Sequence, residues 1–163
     1  MKIKYELMTQ ADCPEVAILL QANAESQQGG LLGEYPLPKV GAMYANSLST
    51  FVARDAEKII GVVFSFASTS TALPPIAHLI LEQNSGLMNG NWFYGPVCID
   101  INYRGNNILK SLYDNICAFN TGKPVAFINA ANHRSLAAHL KIGMHNVASF
   151  DFQGTHYYLV IGN

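Results

Sequence analysis

Tyr103-Arg104-Gly105-Asn106-Asn107-Ile108-Leu109 decides how the rest of the chain reads. An apolar run from Trp92 to Ile99 precedes it. Apolar residues at helical spacing follow it: Ile108, Leu109, Leu112, Tyr113, Ile116 and Cys117. A strand that ends in a Gly-containing turn and passes at once into a helix aims backbone N–H groups and the positive end of the helix dipole at one spot. Phosphate oxygens bind well there, so the stretch is expected to grip the pyrophosphate of a nucleotide-containing ligand.

Upstream, the strand over residues 91–100 carries Gly95-Pro96 at its middle. Proline has no N–H for a ladder bond, so the pairing must be interrupted or bulged there, which leaves backbone open to a ligand. Downstream, residues 124–129 form a second apolar strand, placed parallel to the first by the intervening helix through a right-handed crossover. Asn132 then caps a helix over residues 133–142, with Leu136 and Leu140 facing inward and Gly143 marking its end. Two final strands, 147–152 and 156–161, flank Gln153-Gly154-Thr155 as an antiparallel hairpin.

The N-terminal half supplies the other layers. Residues 2–9 suit a first strand, and Asp12-Cys13-Pro14-Glu15 has the Asp cap, early Pro and Glu of a helix start. Val16, Leu19, Leu20 and Asn23 share one face of that helix. Residues 26–38 are rich in Gly, Gln and Pro and read as a loop, followed by a short helix over 39–48. Residues 51–54 and 59–67 form a hairpin whose second strand, apolar on both faces, belongs inside the sheet. Pro74-Pro75 opens a helix through Glu82, and residues 84–91 read as a loop.

Composition bounds the function. The chain has 163 residues, enough for one core without disulfides or metals, and no linker divides it, so residues 1–163 are expected to be a single domain. Half of the residues are hydrophobic and the formal charge is -1, with no basic run, which argues against a nucleic-acid surface. Residues 59–67 form the longest apolar run, far short of the ~20 residues needed to span a bilayer, and the start lacks a signal-peptide core. Cys13, Cys98 and Cys117 are odd in number and not in metal-ligand spacing. Free thiols in a reducing cytoplasm fit them. His133, His139 and His145 share no helical face, so no metal site is expected. Edge strands and apolar composition permit a homodimer without requiring one.

This element order, with three local features, resembles the GCN5-related N-acetyltransferases, the GNAT superfamily. Val97 to Gly105 is similar to the family's fourth strand and its pyrophosphate loop, written Arg-Gly-x-Gly-x-Gly/Ala. Asn132-His133-Arg134-Ser135 before Gly143-Met144 is similar to its Asn-x-x-Ala/Ser segment and Gly-Phe pair. The last hairpin, with Tyr157 and Tyr158, is the third feature. The resemblance implies an α/β (α+β) fold: a mixed, mostly antiparallel central sheet, splayed between the parallel strands 91–100 and 124–129, with helices on both faces. It implies acetyl transfer from acetyl-CoA to an amine by direct attack in a ternary complex. Val97, Cys98 and Ile99 would offer backbone to the pantetheine arm, bound like an added strand. Arg104, Gly105, Asn106, Asn107, Ile108 and Leu109 would wrap the pyrophosphate. Asn132, with Ser135, would hold the cofactor arm, and His139 stands where many members have a tyrosine acting as general acid.

The chain departs from the loop pattern at Asn107 and Leu109, which replace its later glycines. Asn tolerates left-handed backbone angles, so Asn107 is expected to keep the turn. His139 follows Ser135 by four residues and shares its helix face, and an imidazole can protonate a leaving sulfur. Packing beside the sheet with one hydrogen bond also explains it. Glu34, Glu82, His78 and Tyr94 could each line an acceptor pocket as general base, but a solvated surface position explains each of them better, and the base is not identified. A domain that binds acyl-CoA as a sensor without catalysis is the competing expectation, hinted at by the two lost glycines. A nucleotide binder unrelated to CoA is the third, weakened by the absence of a Walker-type Gly-Lys-Ser/Thr.

Overall fold

In the computed structural model, residues 2–163 are described. Seven strands form one sheet in the order β1-β2-β3-β4-β5-β7-β6. They are β1 (Ile3–Leu7), β2 (Ser49–Asp55), β3 (Lys58–Ala67), β4 (Trp92–Ile99), β5 (Pro124–Asn129), β6 (His145–Phe152) and β7 (Thr155–Ile161). All neighbours run antiparallel except β4 and β5. The expected mixed sheet with one parallel pair is therefore what the chain forms.

Helices cover both faces. On one lie α1 (Cys13–Ala22), α2 (Leu37–Asn46), α3 (Pro75–Gln83) and the short α4 (Ser85–Met88), which bury Val16, Leu20, Val40, Ile76 and Ile80 against Val62 and Phe64. On the other lie α5 (Ile108–Phe119) and α6 (His133–Lys141), where Ile108, Leu112 and Ile116 pack on Ile60, Val63 and Trp92. Strand β3 is buried continuously from Ile59 to Phe66 because it feeds both cores. That is why its apolar residues do not alternate.

Three local expectations are corrected. Residues 84–91 are not all loop, since α4 forms within them. Leu140 does not face inward; it is 41% exposed, while its neighbour His139 is buried at 3%. One residue along a helix turns the side chain by about 100°, and the polar residue took the inner position because it has partners there. Third, Asp12 does not cap α1 with its side chain. Its carboxylate accepts instead from the Thr9 N–H at 2.8 Å and from Arg54 Nη2 at 2.7 Å, while Arg54 Nε donates to Glu6 at 2.6 Å.

That corner ties α1 to β1 and β2. Burial alone would push the Asp12 carboxyl up, but the hydrogen bonds from Arg54 and Thr9 outweigh it and hold it below the usual carboxylate value. A depressed carboxyl contributes stability above its unfolded pKa of about 3.9, and the contribution is lost as pH falls through the folded value. Asp12→Asn is expected to lower unfolding free energy by ~2 kcal/mol at neutral pH, because Arg54 loses the more buried of its two charged partners. Urea denaturation at pH 7 and in strong acid checks this: the gap between the two proteins closes in acid.

Candidate active site

Parallel pairing of β4 with β5 is confined to Trp92–Pro124 and Phe93–Val125. Beyond it the two strands separate. The cause is in β4: the register on β3 jumps from Val63–Val97 to Ser65–Tyr94, so Gly95 and Pro96 together oppose Phe64. This is the bulge that Gly95-Pro96 led the sequence to expect, and it bends β4 away from β5. Among the described residues, no strand pairs with the edge of β4 that faces β5 from Tyr94 onward.

At the end of β4 the chain turns through Ile101–Tyr103 and reaches the phosphate-type loop. Gly105 and Asn107 both take left-handed angles, φ 84° and 64°. The Asn107 conformation is thus the expected one, and no side chain caps the N–H groups that open α5. Asn106 is turned into the loop, donating to the Tyr103 carbonyl at 2.9 Å. Arg104 is half-buried and donates through Nη2 to Asn23 Oδ1 at 2.9 Å; no carboxylate pairs with it among the described residues. Burial, and then repulsion from Arg134, lower its hold on its proton. Two guanidinium groups near each other, neither in ion-pair contact with a carboxylate among the described residues, make a place for an anion.

Other expected residues divide by face. Val97 and Ile99 are half-buried on the α5 side, whereas the Cys98 side chain points under α1, its thiol 3.8 Å from the Leu19 carbonyl and pushed up to about 12 by burial. Only its backbone faces the opened strand edge, so its side chain is removed from the candidate site. Ile108 is a core residue of α5 and Leu109 is half-buried beside it, so neither side chain reaches for phosphate; their backbone N–H groups remain. Asn132 caps α6, its Oδ1 accepting from the Ser135 N–H at 3.3 Å.

His139 is held at both ring nitrogens. Nδ1 lies 2.7 Å from the Ser135 carbonyl and 3.3 Å from its hydroxyl, and Nε2 lies 3.0 Å from the Tyr94 hydroxyl. A carbonyl only accepts, so Nδ1 carries the proton. Burial pushes the imidazole below its ordinary pKa, against the smaller opposing pull of the Ser135 carbonyl, so the ring is neutral near pH 7. Nε2 is then an acceptor and the Tyr94 hydroxyl donates to it. A direct donation from His139 to sulfur, which the sequence suggested, has no free proton behind it in this arrangement.

One contributor showed in the sequence only as part of a loop. Residues 23–31 fold into a compact strap, closed by Glu25 N–H to the Leu31 carbonyl at 2.9 Å and Gly29 N–H to the Ala24 carbonyl at 2.9 Å. The strap touches both rims of the opening. Asn23 meets Arg104 on the β4 side, and Gly30 lies so near α6 that a Cβ there would stand 2.6 Å from Asn132 Nδ2. Gly29 is equally constrained, since a Cβ would stand 1.9 Å from the Asn23 carbonyl oxygen. The doublet Gly29-Gly30 lies within that loop. Glu34, beside this strap, accepts from Gln21 and Ser26 at 2.8 Å each, and Gln27, Tyr35 and Leu37 border a hollow of about 530 Å³ with Ala17 and Gln21. No three His, Cys, Asp or Glu side chains stand together as a metal site among the described residues.

Solved structures share this arrangement of sheet and helices over nearly the full chain. smu.2055 from Streptococcus mutans UA159 superposes with a TM-score of 0.72 at 18% identity, covering 99% of this chain and 98% of its own. An acetyltransferase of the GNAT family from Streptococcus pneumoniae gives 0.69 at 12% identity, over 98% of each chain. The chain has the GNAT fold. YncA, a putative acetyltransferase from Salmonella typhimurium solved with acetyl-CoA, matches that fold at 0.70 and 13% identity, over 98% of this chain and 92% of its own. No family model and no curated protein matches the sequence itself. At these identities the GNAT architecture is what is shared. No helix among the described residues is long and apolar enough to cross a membrane.

Proposed function

We propose that this chain, as one domain, is an acyl-CoA-dependent N-acyltransferase that moves an acetyl group from acetyl-CoA to a primary amine by direct attack in a ternary complex. The observation that carries it is the splay itself. A bulged β4 opens from β5 just past Phe93–Val125, with uncapped helical N–H groups and Arg104 at one end and the Tyr94–His139 pair at the other.

An extended pantetheine arm is expected along the free backbone of Val97, Cys98 and Ile99, in the place of a missing strand. The pyrophosphate is assigned to Arg104 and the N–H groups of Gly105, Asn106, Asn107, Ile108 and Leu109, with Asn132 and Ser135 bordering the far side. Freed N–H groups at the bulge would receive charge on the thioester oxygen as the amine attacks. Three free cysteines suit a reducing compartment such as the cytoplasm.

A non-catalytic acyl-CoA sensor is the second reading, favoured by the Leu109 side chain in the first turn of α5. Thiol release from acetyl-CoA over a panel of amines separates the two. Turnover with at least one amine is expected; tight CoA binding with no turnover over any amine would select the sensor. A parallel titration with ATP, expected to bind far more weakly than CoA, tests the ligand class.

A further inference from the structure

The acyl-transfer reading leaves one requirement without a residue. When the amine nitrogen bonds to the thioester carbon and the carbon–sulfur bond breaks, sulfur leaves with the electron pair and needs a proton. His139 has none to give: its Nδ1 proton is committed to a carbonyl of its own helix, and Nε2 receives one.

The receiving bond identifies the alternative. Tyr94 is the first residue of β4 after the last parallel pair and directly precedes the bulge, so it stands at the apex of the splay. Its hydroxyl crosses from β4 to α6, and Nε2 is its one hydrogen-bond partner among the described residues. The ring is wedged edge-on between His139 at 5.4 Å and Tyr113 at 5.7 Å, which fixes where the oxygen sits. His139 is itself fixed by Ser135, one turn earlier on α6.

We propose that the Tyr94 hydroxyl is the proton donor to the departing sulfur and that His139 aims it and relays a proton back to it. This rests on the acyl-transfer reading. The carbon–nitrogen bond forms, the carbon–sulfur bond breaks, and the Tyr94 proton moves to sulfur. The proton shed by the amine returns through Nε2 to the Tyr94 oxygen, so both side chains end neutral and nothing is oxidised or reduced. His139 thus passes a proton without being the acid.

Two replacements at position 94 test this, with CoA binding followed by calorimetry. Tyr94→Phe keeps the ring and removes only the hydroxyl; kcat should fall ~10²-fold, the scale of losing a general acid, while CoA affinity stays near wild type and the melting temperature drops by several degrees as buried Nε2 loses its donor. Its His139 Nε2 should show, by nitrogen NMR, the shift of an imidazole nitrogen that has lost its donor. Incorporating 3,5-difluorotyrosine at position 94 keeps the shape and makes the phenol more acidic, and kcat should change severalfold. A Tyr94→Phe protein at wild-type kcat overturns the assignment, as does a loss in Tyr94→Phe with no response to fluorination, which would leave Tyr94 a packing residue. Wild-type protein that binds CoA but acylates no amine overturns the acyl-transfer reading, and this assignment with it.

Discussion

His139→Ala is expected to reduce kcat about 100-fold while leaving CoA affinity within about twofold, the pattern of a group that acts on the chemical step. Removing the ring withdraws the acceptor from the Tyr94 hydroxyl and opens a void between β4 and α6. Tyr94 is 5% exposed, so the orphaned hydroxyl has no water to turn to, and stability should drop by ~2–3 kcal/mol. Added imidazole, filling the void and restoring an acceptor, should return part of the activity. Tyr94→Phe on top of His139→Ala should cost little more than either alone, because the two act as one unit. Acid sensitivity gives a second check with the same sign as the Asp12 corner, in a higher pH range. A histidine whose folded pKa lies below its ordinary value of about 6.5 destabilises the fold as pH drops below that value. His139→Phe should flatten that part of the stability curve. An imidazolium donor would instead make kcat fall as pH rises through 7, and no such limb is expected from this residue.

Arg104→Ala is expected to raise the dissociation constant of CoA by ~10- to 100-fold, or about 1.4–2.8 kcal/mol. The guanidinium gives up little in the free protein, where its hydrogen bond is to a neutral amide oxygen of Asn23. Phosphate oxygens would replace that contact with charge-assisted ones and quench its repulsion with Arg134. S-acetylpantetheine, which carries no pyrophosphate, is the control: Arg104→Ala should bind it as the wild type does. The advantage of wild type over variant should also shrink as salt is raised. Equal losses for both ligands would mean that Arg104 holds the loop rather than the phosphate.

Much of this was legible in the residues, for definable reasons. Element order followed from periodicity, and the bulge in β4 followed from Gly95-Pro96, whose missing N–H is a local property that no tertiary contact can restore. Asn107 in a left-handed turn was likewise local. What escaped depends on partners distant in the chain. Whether α6 turns Leu140 or His139 inward is decided by a hydroxyl 45 residues upstream. Asp12 looked like a helix cap because Arg54, its actual partner, is 42 residues away. The strap over the opening read only as a loop rich in Gly, Gln and Pro, since its two anchors, Arg104 and Asn132, belong to other elements.

The seam between β4 and β5 also divides the chain in time. Every strand on one side of it, β1 to β4, is synthesised before any strand on the other. All the residues of β1 to β4 and of α1 to α5 therefore precede residues 124–163 in synthesis. Until β5 docks at Trp92 and Phe93, β4 is a bare sheet edge of the kind that invites wrong partners. The kink at Gly95-Pro96 shortens the straight part of that edge to a few residues. The bulge that opens the ligand cleft in the finished protein also makes the half-made one a poor template for its neighbours.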